Sequence, residues 1–488
     1  MAYTICFFTA IAVLIFFLMY GLLHVSNVDS YFNCNRQLGW FEFGNSFAAA
    51  STSLATVLFF FVTLGLTNGL YILISPISFF IGTELFNFFM LPRLKKQQFG
   101  MQNDNGGTLG GTLGEYIKMR YNSNLVKNVI MIITLLGIVS IMLIELFVGV
   151  QIFDIFIKSE YEEYALYFIV FVSFVYTGLG GLNAVVKTDK LQFYFMMFVA
   201  IVLIAFLFFS YGNPLTMKQL KPQFFGSNGL LCENWALYLN ILTVNALLVP
   251  SLLRNWQLIA ATKSDREIKK GFRNGVLLTA IISFLFVIFG LLFFNIFDNA
   301  PLSMNGILTT MAESNSYIMS YVLFPLLFAA CLMALLSTVD SSLLPVVQCL
   351  ANDFFPKPKR GKEKKMYAIY MISTLIVTIL LYKVVFKWLD FDILSWLFTI
   401  FSVVTISSPA IIFACFGKES VLRTKSMCFF TVILTILGLL IALSLSIYGN
   451  IINENLSYIQ LNAPIAIFLS SFLLSIVYIV IQSIQSKK

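Results

Sequence analysis

Long apolar runs separated by short polar segments recur from one end of the chain to the other. A helix that crosses a bilayer needs about 20 mostly apolar residues, and thirteen stretches satisfy this: residues 4–24, 43–66, 69–92, 126–157, 163–181, 190–212, 235–258, 274–297, 317–349, 366–385, 391–417, 426–449 and 462–484. The pattern predicts an all-α polytopic membrane protein of 13 transmembrane helices, a single membrane domain over 1–488. The longest polar stretches, about 93–125 and 213–234, read as loops. Met1 to Phe7 carries no basic residue and no small-residue cleavage site follows the first run, so that run is expected to be retained as a helix.

Composition agrees with the pattern: 59% of the 488 residues are hydrophobic and 11% charged, against about 45–50% and roughly 25% in soluble domains. A water-soluble enzyme is excluded. The net charge of +8 does not point to nucleic acid, because the basic residues form no stripe interleaved with aromatics. They lie in short loops. With the N-terminus outside, the outer loops hold only Lys158, Lys218, Lys221, Lys383 and Lys387, leaving 26 of the 31 basic residues inside, at Arg93–Lys127, Arg254–Arg273, Lys357–Lys365, Lys418–Lys425 and Lys487–Lys488. Basic residues are retained on the cytoplasmic side, so a cytoplasmic-membrane protein with its N-terminus outside and its C-terminus cytoplasmic is expected. Seven scattered cysteines without CxxC spacing and a single histidine, His24, argue against a disulfide framework or a zinc site. The Gly-rich piece Asn103–Gly114 follows no strand and reads as a turn, not a phosphate loop.

Ionisable and hydroxyl-rich positions inside apolar spans tend to mark pathways. The acids there are Glu84, Glu145, Asp340 and, at the expected cytoplasmic start of a helix, Asp189; Glu84 and Glu145 receive no role from the sequence. In the ninth span Ala334, Ser337, Thr338 and Ser341 share one helix face, bordered by Asp340. Such a patch suits a hard monovalent cation, which takes several oxygen ligands and little net charge; the same hydroxyls would equally satisfy helix carbonyls at a tight contact. The second span begins Asn45-Ser46-Phe47-Ala48-Ala49-Ala50-Ser51-Thr52-Ser53-Leu54-Ala55-Thr56. Its small residues permit close packing or local unwinding, and with no Gly or Pro in the stretch, packing is the better supported of the two. The seventh span carries Asn245 and Pro250; proline frees a helix carbonyl, making this a second candidate for a discontinuous helix.

At Gly180-Gly181-Leu182-Asn183-Ala184-Val185-Val186-Lys187-Thr188-Asp189-Lys190-Leu191-Gln192 the sequence resembles the sodium/solute symporter family. Ser337-Thr338-Val339-Asp340-Ser341 looks most like its proline-carrier branch, with Asn352-Asp353-Phe354-Phe355 after it. Asp29–Gly39, Thr112–Arg120 and Leu258–Lys263 add further similarity in chain order.

The resemblance implies a leucine-transporter-type core of two inverted five-helix repeats, here 43–212 and 235–417. Residues 4–24 would form one extra N-terminal helix and 426–484 two extra C-terminal helices. It implies a main sodium site built from carbonyls of Ala49, Thr52 and Ala334 with the hydroxyls of Ser337 and Thr338. A second cation site would take Asp189, Ser337, Asp340 and Ser341. Ser51, Ser53, Thr56, Asn245 and Gln257 are the expected substrate-facing residues. The acid that the sugar-carrier branch has near Pro76 is missing, as is an arginine in 126–157 of the kind that clamps a sialic acid carboxylate. At Asn255-Trp256-Gln257-Leu258-Ile259-Ala260-Ala261 the family's Gln-Arg is replaced by Trp-Gln.

The expectation is a transporter and not an enzyme. It is a symporter that imports a small organic solute, of amino-acid or organic-acid type, by alternating access with Na+ as coupling ion, working in the bilayer without nucleic acid; the sequence does not give the oligomeric state, and the monomer is the expected functional unit. A proton-coupled carrier using Asp340 or Asp189, and a non-transporting solute receptor signalling through a separate protein, are the alternatives.

Overall fold

The computed structural model describes residues 2–22, 28–96, 112–157, 162–211, 235–297, 304–355, 363–388, 393–452 and 456–486. Most of Asn103–Gly114, all of 213–234, the Lys357–Lys362 part of one basic cluster, His24, Lys158, Lys218, Lys221, Lys487 and Lys488 lie outside the described residues. Apart from one isolated bridge between Leu38 and Thr262, the regular structure of the described residues is helical.

The principal helices are α1 (Ala2–Leu22), α2 (Trp40–Ser51), α3 (Leu54–Phe61, wound as a π-helix and continued by Val62–Asn68), α4 (Ile74–Leu85), α5 (Asn124–Ile157), α6 (Glu162–Tyr211), α7 (Trp235–Ser251), α8 (Leu253–Ala261), α9 (Asp265–Ile296), α10 (Phe324–Cys349), α11 (Glu363–Trp388), α12 (Ile393–Thr405), α13 (Ser408–Phe416), α14 (Lys425–Ile447) and α15 (Leu456–Ser486). Among the described residues nine helical stretches are long and apolar enough to span a membrane, and two further spans arise if α2 with α3, and α7 with α8, each count as one bent helix.

The two expected spans at 163–181 and 190–212 fall in one helical run, α6, whose two helices meet at a kink at Gly181. Gly181 makes the kink with φ 59° and ψ −163°, and the second helix starts directly after it because Leu182 to Asp189 contain no helix breaker. Asp189 therefore lies buried inside a helix, not at the start of one. Only glycine tolerates this backbone region, and a Cβ at Gly181 would stand 2.7 Å from the Tyr31 carbonyl oxygen. Gly181→Ala is expected to destabilise the protein by about 1–3 kcal/mol, read as a lower melting temperature; an unchanged melt would show that the bend is not required.

Every side chain of α10 except Leu326 is buried, so this helix occupies the centre of the bundle, as a helix apolar all round must. It packs against α1, α2, α5, α6 and α8. By contrast, the apolar stretch of α11 is only 17% buried within the protein, and those of α14 and α15 33% and 28%. Their remaining apolar surface is suited to lipid tails. α2 lies along α9, where Phe43 and Phe47 meet Phe272 edge-on. A Cβ at Gly275 would come within 2.9 Å of the Gly44 carbonyl oxygen, so bare glycine sets this approach.

Segments distant in sequence meet at the helix ends. Leu38 N–H donates to Ala261 O (3.0 Å) and Lys263 N–H to Leu38 O (3.3 Å), while Gln348 Nε2 donates to Asn33 Oδ1 at 3.2 Å. Thr112 caps the helix Leu113–Tyr121 and its hydroxyl donates to Asp353 Oδ1 at 3.3 Å. Arg120, buried at the end of that helix, donates to the carbonyls of Ala414 and Gly417 and pairs with Glu419 at 2.6 Å. Glu84 and Arg273 form a two-pronged pair at 2.7 and 3.0 Å, which gives Glu84 its partner.

Candidate ion and solute site

Two helix breaks define the site. Between α2 and α3 the axis bends by 63°. Thr52 leaves the helix at φ −100°, ψ 65°, and Ser53 is extended and caps α3 by accepting the Thr56 N–H at 3.0 Å. The opening of α3 leaves N–H groups without helical partners. Glu145, buried on α5, takes two of them: Leu54 N–H donates to Oε2 at 3.0 Å and Ala55 N–H to Oε1 at 3.2 Å. A carboxylate at the positive end of a helix is favourable on electrostatic grounds as well. The sequence alone assigned Glu145 nothing, because its partners lie some ninety residues away.

The second break, at Leu252, bends the axis by 44°. Here the carbonyls freed by the break are taken by the second half of the same pair: Asn255 Nδ2 donates to Val249 O at 2.9 Å and Trp256 Nε1 to Pro250 O at 2.8 Å. The two breaks thus differ, and it is the first that presents oxygens to a neighbouring helix.

That neighbour is α10. Ser337 Oγ donates to Ala49 O at 3.3 Å and to its own helix at Ala334 O at 3.0 Å, and Thr338 Oγ1 donates to Ala334 O at 3.1 Å. Thr52 N–H reaches Ala49 O at 3.0 Å, and its hydroxyl turns back to Ala48 O at 2.7 Å. Ala49, Thr52, Ala334, Ser337 and Thr338 are all buried. Four of the five expected main-site residues are thus in mutual contact around the Ala49 and Ala334 carbonyls, with Thr52 beside them at the end of α2. No group of three or more His, Cys, Asp or Glu side chains that could hold a metal ion occurs among the described residues. The oxygens gathered here are carbonyls and hydroxyls, a donor set for a hard, weakly charged cation.

Asp189 and Asp340 are close enough to interact electrostatically, and Ser341 stands beside both. Asp189 Oδ2 accepts from Ser46 Oγ at 2.5 Å, Asp340 Oδ2 accepts from Tyr176 OH, and Asp340 Oδ1 accepts the Ser341 N–H at 2.5 Å. Asp189 Oδ1 and Ser341 Oγ are buried without a hydrogen bond. Buried oxygens left without partners are costly. Ser337, expected in this second group, hydrogen-bonds into the main one instead, because its hydroxyl turns towards α2.

Beside the first break lies a cavity with about 900 Å³ of empty space, its opening included. Ser51, Ser53, Thr56 and Asn245 line it, and so does Thr338, whose hydroxyl bonds to the Ala334 carbonyl. Asn245 Nδ2 is held by Ser75 Oγ and Ser78 Oγ, each at 3.0 Å. Gln257 does not line the cavity: one turn further along α8, it donates to Phe32 O at 3.3 Å and fastens the N-terminal segment. In its place the structure brings Arg254, which falls in the expected 235–258 span but was counted with the cytoplasmic charge cluster Arg254–Arg273. Arg254 is 7% exposed, lines the cavity, and donates to Ala50 O and, at 3.3 Å, to Ser51 Oγ. It was misread because it stands within a dozen residues of Lys263, Arg266 and other loop cations; its flanking Leu253 and Trp256 were the signal that it belongs to a buried helix.

These features, an all-helical membrane bundle with two broken helices around a central cavity, define a multi-pass membrane protein with a transporter fold. A solved Na+-coupled sialic acid symporter, in its substrate-bound outward-open state, is similar over 97% of this chain and 98% of its own, with TM-score 0.74 at 16% identity. A manganese transporter of Eremococcus coleocola (H236A mutant) covers 94% and 97% with TM-score 0.51 at 15% identity. At such identities the likeness is one of fold. The sodium/pantothenate symporter of Haemophilus influenzae is 28% identical over 218 residues, a match that takes in 42% of this chain and 43% of that protein. Residues 31–423 match the sodium:solute symporter family, and the chain belongs to that family.

Proposed function

We propose that the chain is a sodium-coupled symporter that imports a small organic solute, of amino-acid or organic-acid type, by alternating access. The observation that carries this reading is the contact of Ser337 with the Ala49 carbonyl, across from the broken helix to the central one. Sodium would exchange these hydrogen bonds for ion–oxygen contacts with Ala49, Thr52, Ala334, Ser337 and Thr338. That ties α2 to α10 and, through Thr338, bears directly on the cavity wall. Such coupling requires that sodium bind one of two states more tightly than the other. A second cation would use Asp189 with Asp340 and Ser341. Family membership and the fold of the sialic acid symporter support sodium as the ion. The pantothenate and sialic acid carried by the named relatives are both organic acids, which supports the solute class.

The same proposal includes the topology. Tyr167–Tyr211 is 45 residues long, about 70 Å as a helix against a hydrocarbon core of ~30 Å. Bent at Gly181, it supplies two spans. With α1 and the two bent pairs this gives thirteen, N-terminus outside and C-terminus cytoplasmic, with repeats at 43–212 and 235–417.

The test is uptake into proteoliposomes under imposed gradients. An inward sodium gradient at constant pH is expected to drive accumulation of an organic acid or amino acid, and a proton gradient alone is not. Accumulation driven by protons and indifferent to sodium would move the coupling to Asp189 or Asp340; binding without accumulation under either gradient would make the protein a receptor.

A further inference from the structure

Among the described residues, Arg254 is the only charged one that lines the cavity. A guanidinium has five N–H donors. Here one Nη donates to Ala50 O, the other makes a long contact to Ser51 Oγ at 3.3 Å, and Nε has no hydrogen bond. The acids that act on it electrostatically are Asp189 and Glu145, and both are engaged elsewhere: Asp189 with Ser46, Glu145 with the opening N–H groups of α3. Neither makes an ion pair with Arg254 among the described residues. A buried cation without a paired anion is costly, and the cavity is where an anion can reach it.

We propose that Arg254 binds the carboxylate of the transported solute, an organic molecule carrying one carboxylate, whose uncharged body lies between the polar wall at Ser75 and Asn245 and the apolar wall at Phe60 and Phe398. The inference rests on the symporter reading and deepens it. Arginine's planar fork matches a carboxylate, and a charge-assisted acceptor readily replaces the long Ser51 contact. The arrangement also explains coupling. Arg254 is anchored on the Ala50 carbonyl, the residue after Ala49, so a sodium ion at Ala49 adds a second positive charge close to an unpaired one. A solute carboxylate offsets one of the two charges and relieves their repulsion, so that solute and sodium each raise the affinity of the other by the same factor. The sequence contains no arginine in 126–157; Arg254 brings a guanidinium to the cavity from the second half of a broken helix instead.

The experiment is ligand-induced thermal stabilisation of the purified full chain, in sodium and in choline. The probes are a set of hydroxy and N-acyl monocarboxylates and one amino acid, each beside its own neutral amide. Carboxylates are expected to stabilise the wild type in sodium and their amides not to. Arg254→Gln is expected to weaken that binding at least about 30-fold, and Arg254→Lys, which keeps the charge without the fork, to recover part of it. A cooperative unliganded melt in each variant shows that it has folded. An amide that equals its acid, an Arg254→Gln protein that keeps wild-type binding, or a set in which no carboxylate acts overturns the inference. Failure of the sodium reading looks different: a carboxylate effect of equal size in sodium and choline. An amino acid that acts as the simple acids do assigns a zwitterion; simple acids acting alone assign an anion.

Discussion

Ser337→Ala and Thr338→Ala are each expected to raise the sodium concentration needed for half-maximal uptake by roughly 10- to 100-fold, the range that follows from losing one oxygen on a charged ligand. The same changes should cost little in folding. Both hydroxyls bond to the Ala334 carbonyl of their own helix, and Ser337 also to Ala49, so deletion loses ordinary hydrogen bonds worth about 1 kcal/mol each. The two effects are separable by measuring sodium titrations of uptake beside the melting temperature. Thr338→Ala should also alter solute affinity, because Thr338 lines the cavity, whereas Ser337 does not. Variants that keep the wild-type sodium titration would remove these hydroxyls from the ion site.

Glu145→Ala is expected to be among the most damaging single changes in the chain. It strips two backbone N–H groups, those of Leu54 and Ala55, of their acceptor in a buried position. An unsatisfied buried donor costs about 1–3 kcal/mol, so a loss of about 2–6 kcal/mol is expected, together with fraying of α3. Glu145→Gln keeps one good acceptor oxygen and should recover a substantial part. Melting temperature and amide hydrogen exchange across Leu54–Phe61 check this. A Glu145→Ala protein with native stability and slow exchange there would show that the break closes by other means.

The fold was legible where it depends on local pattern. Runs of about twenty apolar residues located the nine long apolar helices found among the described residues, and Pro250 marked the second break to within two residues of Leu252. The first break was less so. Asn45 to Thr56 contains neither Gly nor Pro, and local propensity favoured a continuous, closely packed helix. What opens it is tertiary: Glu145 reaching from α5 and Ser337 from α10. The same holds for Gly181, visible in the sequence as part of a motif but not as a bend. For Arg254, neighbouring loop charges masked a position inside the bundle. Ser337, Thr338 and Ala334 were legible because a helix periodicity puts small oxygen-bearing residues on one face, and their partner Ala49 came from the family resemblance. Gln257 shows the limit of carrying roles by proximity in sequence, since one helical turn separates a cavity residue from one that binds Phe32.

The central claim is that sodium binds between the first helix break and the central helix. It is tested most directly by thermal stability of the purified protein in sodium against equal concentrations of potassium and of choline, wild type beside Ser337→Ala. A bound ion stabilises the folded state by mass action without any knowledge of the solute. The account predicts a sodium-specific rise in melting temperature that Ser337→Ala abolishes. Equal melting in the three salts, or a sodium effect that survives in Ser337→Ala, would contradict it.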